Sequence, residues 1–256
     1  MMHRRTALSL MGASLLTACA PTPPDRTPNR VGDRDPVRFA GRQPTSYPIQ
    51  GIDVARFQGD ILWDKVAAKG NIRFAFIKST EGGDLLDPKF KRNWREAQRA
   101  GIARGAYHFY YYCTEPEKHA EWFIRNVPRS PGMLPPVLDM EWNPFSPTCT
   151  LRPPAAEVRR QMRVWMQIVG DHYGQRPIIY TTPDFYRDNG LQAFRGEEFW
   201  LRSTARRPEE TFPGQPWRFW QYSATGEMPG ILGDTDFNTF NGSAEDWSTW
   251  RARRTV

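Results

Sequence analysis

Two acidic residues, Asp139 and Glu141, follow a short apolar run and are separated by a single residue. Because side chains alternate along a β-strand, a strand at this point places both carboxyl groups on the same face. At about 3.3 Å of rise per residue their backbone anchors lie roughly 6 to 7 Å apart, so the two carboxyl groups can flank one glycosidic bond. Trp142 comes next, and an indole ring packs well on the C–H face of a sugar ring. The pattern favours hydrolysis of a carbohydrate.

A solvated strand end, or half of a metal site, would show the same pair of acids. A metal-dependent hydrolase needs further ligands, and the chain has four histidines, His3, His108, His119 and His172, without H-x-H or H-E-x-x-H spacing. We therefore expect neither a metal nor a cofactor, and a metal-dependent barrel hydrolase ranks behind the carbohydrate interpretation.

Length and composition are those of one large globular domain. The 256 residues are enough for a complete α/β barrel, and 39% of them are hydrophobic. The formal net charge of +7 favours an anionic partner. We do not expect that partner to be nucleic acid, because the sequence has no helix-turn-helix, zinc finger, RNA-recognition motif or dense Lys/Arg stripe.

Residues 1–18 have the pattern of an export signal. A basic start at 3–5 precedes an apolar stretch at 7–18 that is too short to span a bilayer as a mature helix. The run Leu16-Thr17-Ala18-Cys19 resembles the lipobox of bacterial lipoproteins, although an ordinary signal peptide also ends in small residues. We expect an exported protein of the cell envelope, either anchored to a membrane through lipid on Cys19 or secreted.

The stretch from residue 19 to 48 is rich in Pro, Arg, Asp and Thr and has no apolar period of either kind. Such a composition predicts a disordered tether. The catalytic domain is then expected at 49–256, with no second module after it.

Short β-rich runs alternate with helical stretches along this domain, which is typical of a parallel sheet with crossover helices. The helix ends are best marked at 88–100, which opens with Asp87 and Pro88 and closes at Gly101. Strands are predicted at 51–54, 74–78, 106–111, 136–141, 177–181, 198–202, 217–222 and 235–238. We expect a monomeric (β/α)8 barrel of the TIM type with irregular later units.

In such a barrel the carboxyl ends of the strands carry the functional residues. Acids lie at the predicted ends of strands one, four and eight, namely Asp53, Asp139 with Glu141, and Asp236. They converge only if the sheet closes, so closure and an acidic site support each other. Crowded carboxyl groups should raise the pKa of one member by like-charge repulsion, which would keep a proton available near neutral pH.

Other polar and aromatic residues share these strand ends and are candidates for substrate binding: Lys78, Glu81, Tyr107, His108, Tyr180, Trp200, Trp220 and Gln221. The aromatic members would form the walls of a groove, and core packing is the alternative for each. His108 could equally occupy a core position. Lys78 and Glu81 would either pair with each other or contact substrate.

Cys113 and Cys149 each follow a predicted strand. If these strands are neighbours, both thiols lie on loops at one rim of the barrel, and export favours a disulfide between them. Two unpaired buried thiols are the alternative.

Segments in this order resemble the glycoside hydrolase family 25 muramidases, the Chalaropsis-type lysozymes. They are GIDV at 51–54 with QG at 58–59, FIKSTEG at 76–82, GAYHF at 105–109, PVLDME at 136–141, IYT at 179–181, WQY at 220–222 and DFN at 236–238. The sequence departs from the family pattern at Ser79, where Ala is usual, and at Leu201-Arg202, where Ile-Ala commonly follows the tryptophan.

The resemblance implies cleavage of the β-1,4 bond between N-acetylmuramic acid and N-acetylglucosamine in peptidoglycan, with retention of configuration. It implies that Glu141 is the general acid. Asp139 would either attack the anomeric carbon or orient the substrate's N-acetyl group as an internal nucleophile, and Asp53 and Asp236 would hold substrate hydroxyls or the acid pair, or cap strand ends. A non-catalytic peptidoglycan-binding lipoprotein is the alternative from another functional class.

Overall fold

A strand is present at each of the eight positions predicted from the sequence in the computed structural model, which describes residues 25–254. Within these residues the strands are β1 (Gly32–Asp33), β2 (Gln50–Val54), β3 (Ile72–Glu81), β4 (Leu85–Leu86), β5 (Ala103–Phe109), β6 (Val137–Met140), β7 (Ile178–Thr181), β8 (Phe199–Arg202), β9 (Phe219–Glu227) and β10 (Thr235–Phe240). The α-helices are α1 (Trp63–Gly70), α2 (Phe90–Arg99), α3 (Pro116–Asn126), α4 (Ala155–Tyr173), α5 (Pro183–Asn189), α6 (Pro208–Thr211) and α7 (Ala244–Arg254).

The sheet closes into a barrel in the order β2-β3-β5-β6-β7-β8-β9-β10, with β10 paired back to β2. Neighbours from β2 to β9 are parallel, but β10 runs antiparallel to both β9 and β2. This differs from the expected (β/α)8 arrangement. Residues 228–234 join β9 to β10, and a parallel crossover needs roughly a dozen residues or more, so the last strand returns as a hairpin.

Every second side chain of the barrel strands points inward and fills the barrel. Phe74, Phe76 and Phe219 are fully buried there, and Gly51 faces the ring of Phe74, where a Cβ would lie 2.3 Å from a ring atom. The absence of a Cβ at Gly51 therefore lets β2 approach this aromatic layer. Trp247 of α7 packs on Phe74 with ring centroids 5.6 Å apart and closes the end of the barrel where the parallel strands begin.

The alternate side chains of the same strands point outward and form the layer under the helices. Ile52, Ile77 and Leu138 are fully buried in this layer, together with residues of the helices that cover them. The helix α4 contributes Trp165 and ends at Gly174, whose φ of 68° reverses the chain toward β7. The two layers leave the carboxyl ends of the parallel strands open on one side.

Residues 25–48, which fall in the stretch predicted to be a tether, contact the barrel. The strand β1 pairs antiparallel with β9, and Phe39 is 5% exposed with its ring 4.8 Å from that of Trp220. Tyr47 is also buried, and its ring lies 5.8 Å from Trp217. The average composition of the segment is polar and predicts disorder. Two aromatic side chains in it are nevertheless buried against the barrel, and an average over the segment does not show them.

The predicted signal peptide, with Cys19 and the first residues of the expected tether, lies outside the described residues. Across residues 25–254, none of the helices combines the length and the apolar character needed to cross a bilayer.

Candidate active site

A cleft of about 420 Å³ opens at the carboxyl ends of the parallel strands. Nine of the residues predicted from the sequence line it: Asp53, Lys78, Tyr107, Asp139, Glu141, Tyr180, Trp200, Gln221 and Asp236. The four acids come from strands β2 and β10, which are neighbours, and from the end of β6 across the barrel. Closure of the sheet therefore brings together carboxyl groups that are up to 183 residues apart in sequence, Asp53 and Asp236.

Asp53 and Asp236 lie directly opposite each other on β2 and β10. One carboxyl oxygen of Asp53, Oδ1, accepts hydrogen bonds from Gln221 Nε2 at 2.9 Å and from Asn238 Nδ2 at 2.7 Å. Burial raises the pKa of Asp53 well above its usual range, and Asp236 adds to the rise, while the two amide donors oppose it. Burial also raises the pKa of Asp236 to about 6, against the effect of Arg202. The pair therefore favours retention of a proton between the two carboxyls.

Asp139 lies deeper, on β6, and is 6% exposed. Its Oδ1 atom is buried and finds no hydrogen-bond partner within residues 25–254. Burial raises the pKa of this carboxyl well above its usual range, the charge of Glu141 raises it further, and Lys78 opposes both effects. An unsatisfied buried carboxyl oxygen is costly for the folded protein, and here it belongs to a residue that lines the cleft.

Glu141 follows the last residue of β6 and is partly exposed at the mouth of the cleft. Burial raises its pKa to about 7, and the opposing cations are Arg202 and Lys78. The sequence led us to expect like-charge repulsion as the source of such a rise. Desolvation is instead the largest cause, and the acidic neighbours Asp184 and Asp236 contribute less.

A chain of hydrogen bonds fixes Asp53 from both sides. On one side Tyr180 Oη donates to Gln221 Oε1 at 2.9 Å, and Gln221 donates in turn to Asp53. On the other side Trp200 Nε1 donates to Asn238 Oδ1 at 2.7 Å, and Asn238 donates to Asp53. Trp200 is 2% exposed, so it supports the floor of the cleft and does not stand as a free stacking wall.

Glu81, which is described below, does not line the cleft, and neither do two ring-bearing residues that were predicted to bind substrate, His108 and Trp220. Each is fully buried, and each is next in sequence to a residue that does face the cleft, Tyr107 or Gln221. Alternation along a strand therefore turns their side chains to the outer layer.

In that outer layer His108 Nδ1 lies 2.8 Å from Thr80 Oγ1, and its Nε2 lies 2.8 Å from His119 Nδ1. Burial lowers the pKa of His108 well below its usual range and lowers that of His119 to about 4, so this histidine pair is neutral at neutral pH. Trp220 Nε1 donates to the carbonyl of Ser203 at 2.7 Å.

Lys78 and Glu81 form the ion pair considered in the sequence analysis, with Nζ and Oε2 2.6 Å apart. Lys78 also lies over the ring of Phe109 at 4.6 Å and lines the cleft. Glu81 lies behind it, where it accepts a hydrogen bond from Tyr111 Oη, and is outside the cleft lining.

Sequence reasoning missed several residues that take part in the site, namely Phe57, Phe109, Arg202 and Asn238. Three of them had a usable signal, because each stands two positions after an inward-facing residue on the same strand: Tyr107, Trp200 or Asp236. Phe57 has no such signal, since it follows the end of β2, yet it is 73% exposed and lines the cleft. A broad exposed ring beside buried acids is suited to a sugar face.

A disulfide joins Cys113 to Cys149, with Cα atoms 5.8 Å apart, which agrees with the pairing expected from the sequence. It connects the segment after β5 to the segment after β6, which begins with Glu141. Within residues 25–254, no group of three or more His, Cys, Asp and Glu side chains is arranged to hold a metal ion.

Comparison with known proteins agrees with this architecture. Residues 52–231 match the family model described as Glycosyl hydrolases family 25. The chain is 39% identical over 220 residues to the uncharacterized protein YegX of Escherichia coli K12, covering 84% of this chain and 78% of the relative. It is 38% identical over 210 residues to lysozyme M1 of Streptomyces globisporus, covering 77% and 69% respectively.

Among solved structures, a family 25 glycosyl hydrolase from Bacillus anthracis superposes with a TM-score of 0.73 at 32% identity, covering 84% of this chain and 98% of that one. An eight-stranded barrel with paired acids at its open end, together with these matches, defines a glycoside hydrolase. The chain belongs to glycosyl hydrolase family 25.

Proposed function

We propose that this protein is a peptidoglycan muramidase that hydrolyses the β-1,4 bond between N-acetylmuramic acid and N-acetylglucosamine. The observation that carries the proposal is the convergence of Asp53, Asp139, Glu141 and Asp236 in one cleft at the open end of the barrel. Relatives named as a lysozyme and as an N,O-diacetylmuramidase, at 38% and 28% identity, support the choice of substrate. The net charge of +7 suits a polymer that carries carboxylates.

In this proposal Glu141 is the general acid that protonates the leaving oxygen of the glycosidic bond. A general acid must hold a proton at the working pH, and a pKa raised to about 7 satisfies that requirement. Glu141 is partly exposed, which leaves room for the leaving sugar, whereas Asp53 and Asp139 are buried and Asp236 interacts with Asp53.

Asp139 is proposed to orient the substrate's N-acetyl group, which attacks the anomeric carbon from within the sugar. The unsatisfied Oδ1 of Asp139 supports this role, because the amide N–H of an N-acetyl group is the donor that this atom lacks. Direct attack by Asp139 is the alternative. Both routes use two displacements, so both retain the configuration at the anomeric carbon.

Asp53 and Asp236 are proposed to bind sugar hydroxyls from the opposite side of the cleft. The network through Gln221 and Asn238 holds Asp53 in one orientation, which lowers the entropy lost when substrate binds. We also propose that the protein is exported, with lipid on Cys19 as the anchor; this part depends on the sequence pattern alone.

Digestion of purified peptidoglycan tests the activity. Mass spectrometry of the products should find muramic acid at the new reducing ends, and proton NMR should detect the β-anomer before mutarotation. Muramic acid at the non-reducing end would contradict the proposal, and an initial α-anomer would contradict retention. Full activity in EDTA is expected, and loss of activity in EDTA would favour the metal-dependent alternative.

The variant Glu141→Gln tests the acid assignment and the non-catalytic alternative together. We expect about a hundred- to ten-thousand-fold loss of turbidity clearing with peptidoglycan binding preserved, since an amide has no acidic proton to transfer to the leaving oxygen. The matched control is Glu121→Gln, which makes the same change on the exposed side of α3 and should clear at the wild-type rate. Clearing by Glu141→Gln at the wild-type rate would rule out Glu141 as the acid.

A further inference from the structure

Arg202 is the last residue of β8, which is separated from β6 by β7 alone, and its side chain lines the cleft. It stands two positions after Trp200, so strand alternation turns both side chains to the inner face. The resemblance to family 25 did not anticipate a cation here, since the usual residue at this position is alanine.

The cleft lining contains two cationic side chains, Lys78 and Arg202, and they differ in their partners. Lys78 is committed to Glu81 at 2.6 Å and to the face of Phe109. The side chain of Arg202 forms no ion pair and no hydrogen bond with any residue from 25 to 254, although its backbone pairs with β9. Its charge acts through space on Asp53, Glu141 and Asp236 without contacting any of them. Its N–H donors therefore remain open to the cleft.

A guanidinium group with open donors is suited to a carboxylate, because its planar fork makes two parallel charge-assisted hydrogen bonds. The glycan of the proposed substrate offers such a group. Muramic acid differs from glucosamine by a lactyl ether whose carboxyl is free when the stem peptide is absent, and the stem peptide, when present, carries carboxylates of its own. A neutral sugar polymer would leave Arg202 without a partner.

We propose that Arg202 is a specificity-determining residue that binds a carboxylate of the muramic acid unit held in the cleft. The inference rests on the proposed muramidase function and deepens it. The carboxylate has two sources, the free lactyl group and the stem peptide, and the experiment below distinguishes them.

The test compares three sets of glycan oligomers of equal length. The first is free of peptide and carries free lactyl carboxylates, the second is the same material with those carboxylates converted to carboxamides, and the third carries stem peptides. The kinetic constants kcat and KM are measured for the wild type, for Arg202→Ala and for Arg202→Lys. The control is Arg99→Ala, which removes an exposed arginine of α2. The assays are run at pH 5, below the Glu141 pKa of about 7, so that Glu141 keeps its proton in every variant.

We expect the wild type to prefer a carboxylate-bearing set, and Arg202→Ala to lose about 10- to 100-fold in kcat/KM on that set alone, mainly through KM. Arg202→Lys should recover part of the loss, because an ammonium keeps the charge but not the fork. A loss confined to the first set identifies the lactyl carboxylate, and a loss confined to the third identifies the stem peptide. Either result supports the proposal.

An equal loss on all three sets, carboxamide included, would overturn the proposal and leave Arg202 a role that is independent of a substrate anion. A wild type without any preference would also overturn it. Thermal melts of Arg202→Ala identify a folding defect, in which case Arg202→Lys alone decides. If the wild type fails to cut any set between muramic acid and glucosamine, the proposed function itself fails, and that outcome is distinct from a loss of preference.

Discussion

The carboxyl of Glu141 is held at a cost in stability that depends on pH. Its pKa is about 7 in the folded protein against 4.5 for a free glutamate, so the folded state binds the proton more tightly than the unfolded chain. This carboxyl therefore contributes its full stability below about pH 4.5, and the contribution is lost as the pH rises through 7. Burial that suits an acid catalyst thus works against folding in alkaline solution.

Replacement of Glu141 by glutamine should stabilise the protein in alkaline solution. We expect Glu141→Gln to match the wild type at pH 4.5 and to exceed it by about 1 to 3 kcal/mol in free energy of unfolding at pH 8, since the amide does not ionise. Urea unfolding at the two pH values measures the difference, with Glu121→Gln as control. A variant less stable than the wild type at pH 8 would show that the ionised carboxylate stabilises the fold.

Side-chain alternation accounts for most of the site that sequence could predict. The rule that places Asp139 and Glu141 on one face also places Arg202 with Trp200 and Asn238 with Asp236. The same rule explains why the prediction that His108 and Trp220 line the cleft was wrong. Each is next in sequence to an inward-facing residue, so its side chain points outward. Burial as the largest cause of the raised pKa values was not predictable, because depth in a cleft is set by all eight strands together.

Among the elements, the segment that follows β6 carries the proposed general acid. It begins with Glu141, and its Asn143 donates a hydrogen bond to Tyr111 Oη at 3.0 Å. The Cys113–Cys149 disulfide ties it to the segment after β5. The segment has no helix or strand between β6 and α4, so these side-chain links take the place of backbone pairing.

Removal of this disulfide should lower both stability and activity. The double variant Cys113→Ser, Cys149→Ser is expected to lose about 3 to 4 kcal/mol in free energy of unfolding, because the unfolded chain regains the entropy of a loop of this size. Chemical denaturation gives the loss, and peptidoglycan clearing well below the melting temperature gives the effect on the site. Wild-type protein treated with reductant should behave like the double variant. Unchanged stability in both would contradict a stabilising bridge.

The elements themselves were predictable in kind but not in direction. The helix and strand positions follow from apolar spacing and from caps such as Gly174. The reversed direction of β10 depends on the short connection 228–234. A short connection requires an antiparallel strand only if β10 pairs with β9, and the sequence does not show which strands pair. Periodicity identifies a strand and carries no information about its neighbours.

At the scale of the whole molecule, the segment before the barrel contributes to the folded domain. Phe39 packs edge-on against Trp220, which is next to Gln221 of the Asp53 network, and β1 extends the sheet beside β9. Residues 32–48 therefore belong to the stable unit and do not serve only as a spacer.

Truncation of Phe39 should reveal this contribution. We expect Phe39→Ala to lower the free energy of unfolding by about 3 kcal/mol, since a buried aromatic ring is removed. The control Val37→Ala changes a neighbouring side chain that is 41% exposed and should cost less than about 0.5 kcal/mol. Guanidinium unfolding compares the two. Equal small losses would mean that this segment does not pack on the barrel in solution.

The seam between β2 and β10 has a consequence for biosynthesis. Asp53 lies on the first barrel strand to leave the ribosome, while the amides that hold it belong to the last two strands, at Gln221 and Asn238. A nascent chain lacking its final forty residues has no partner for the open side of β2 and no Asp236. The four-acid cluster is therefore complete only after the last two barrel strands have been synthesised and have paired with their neighbours.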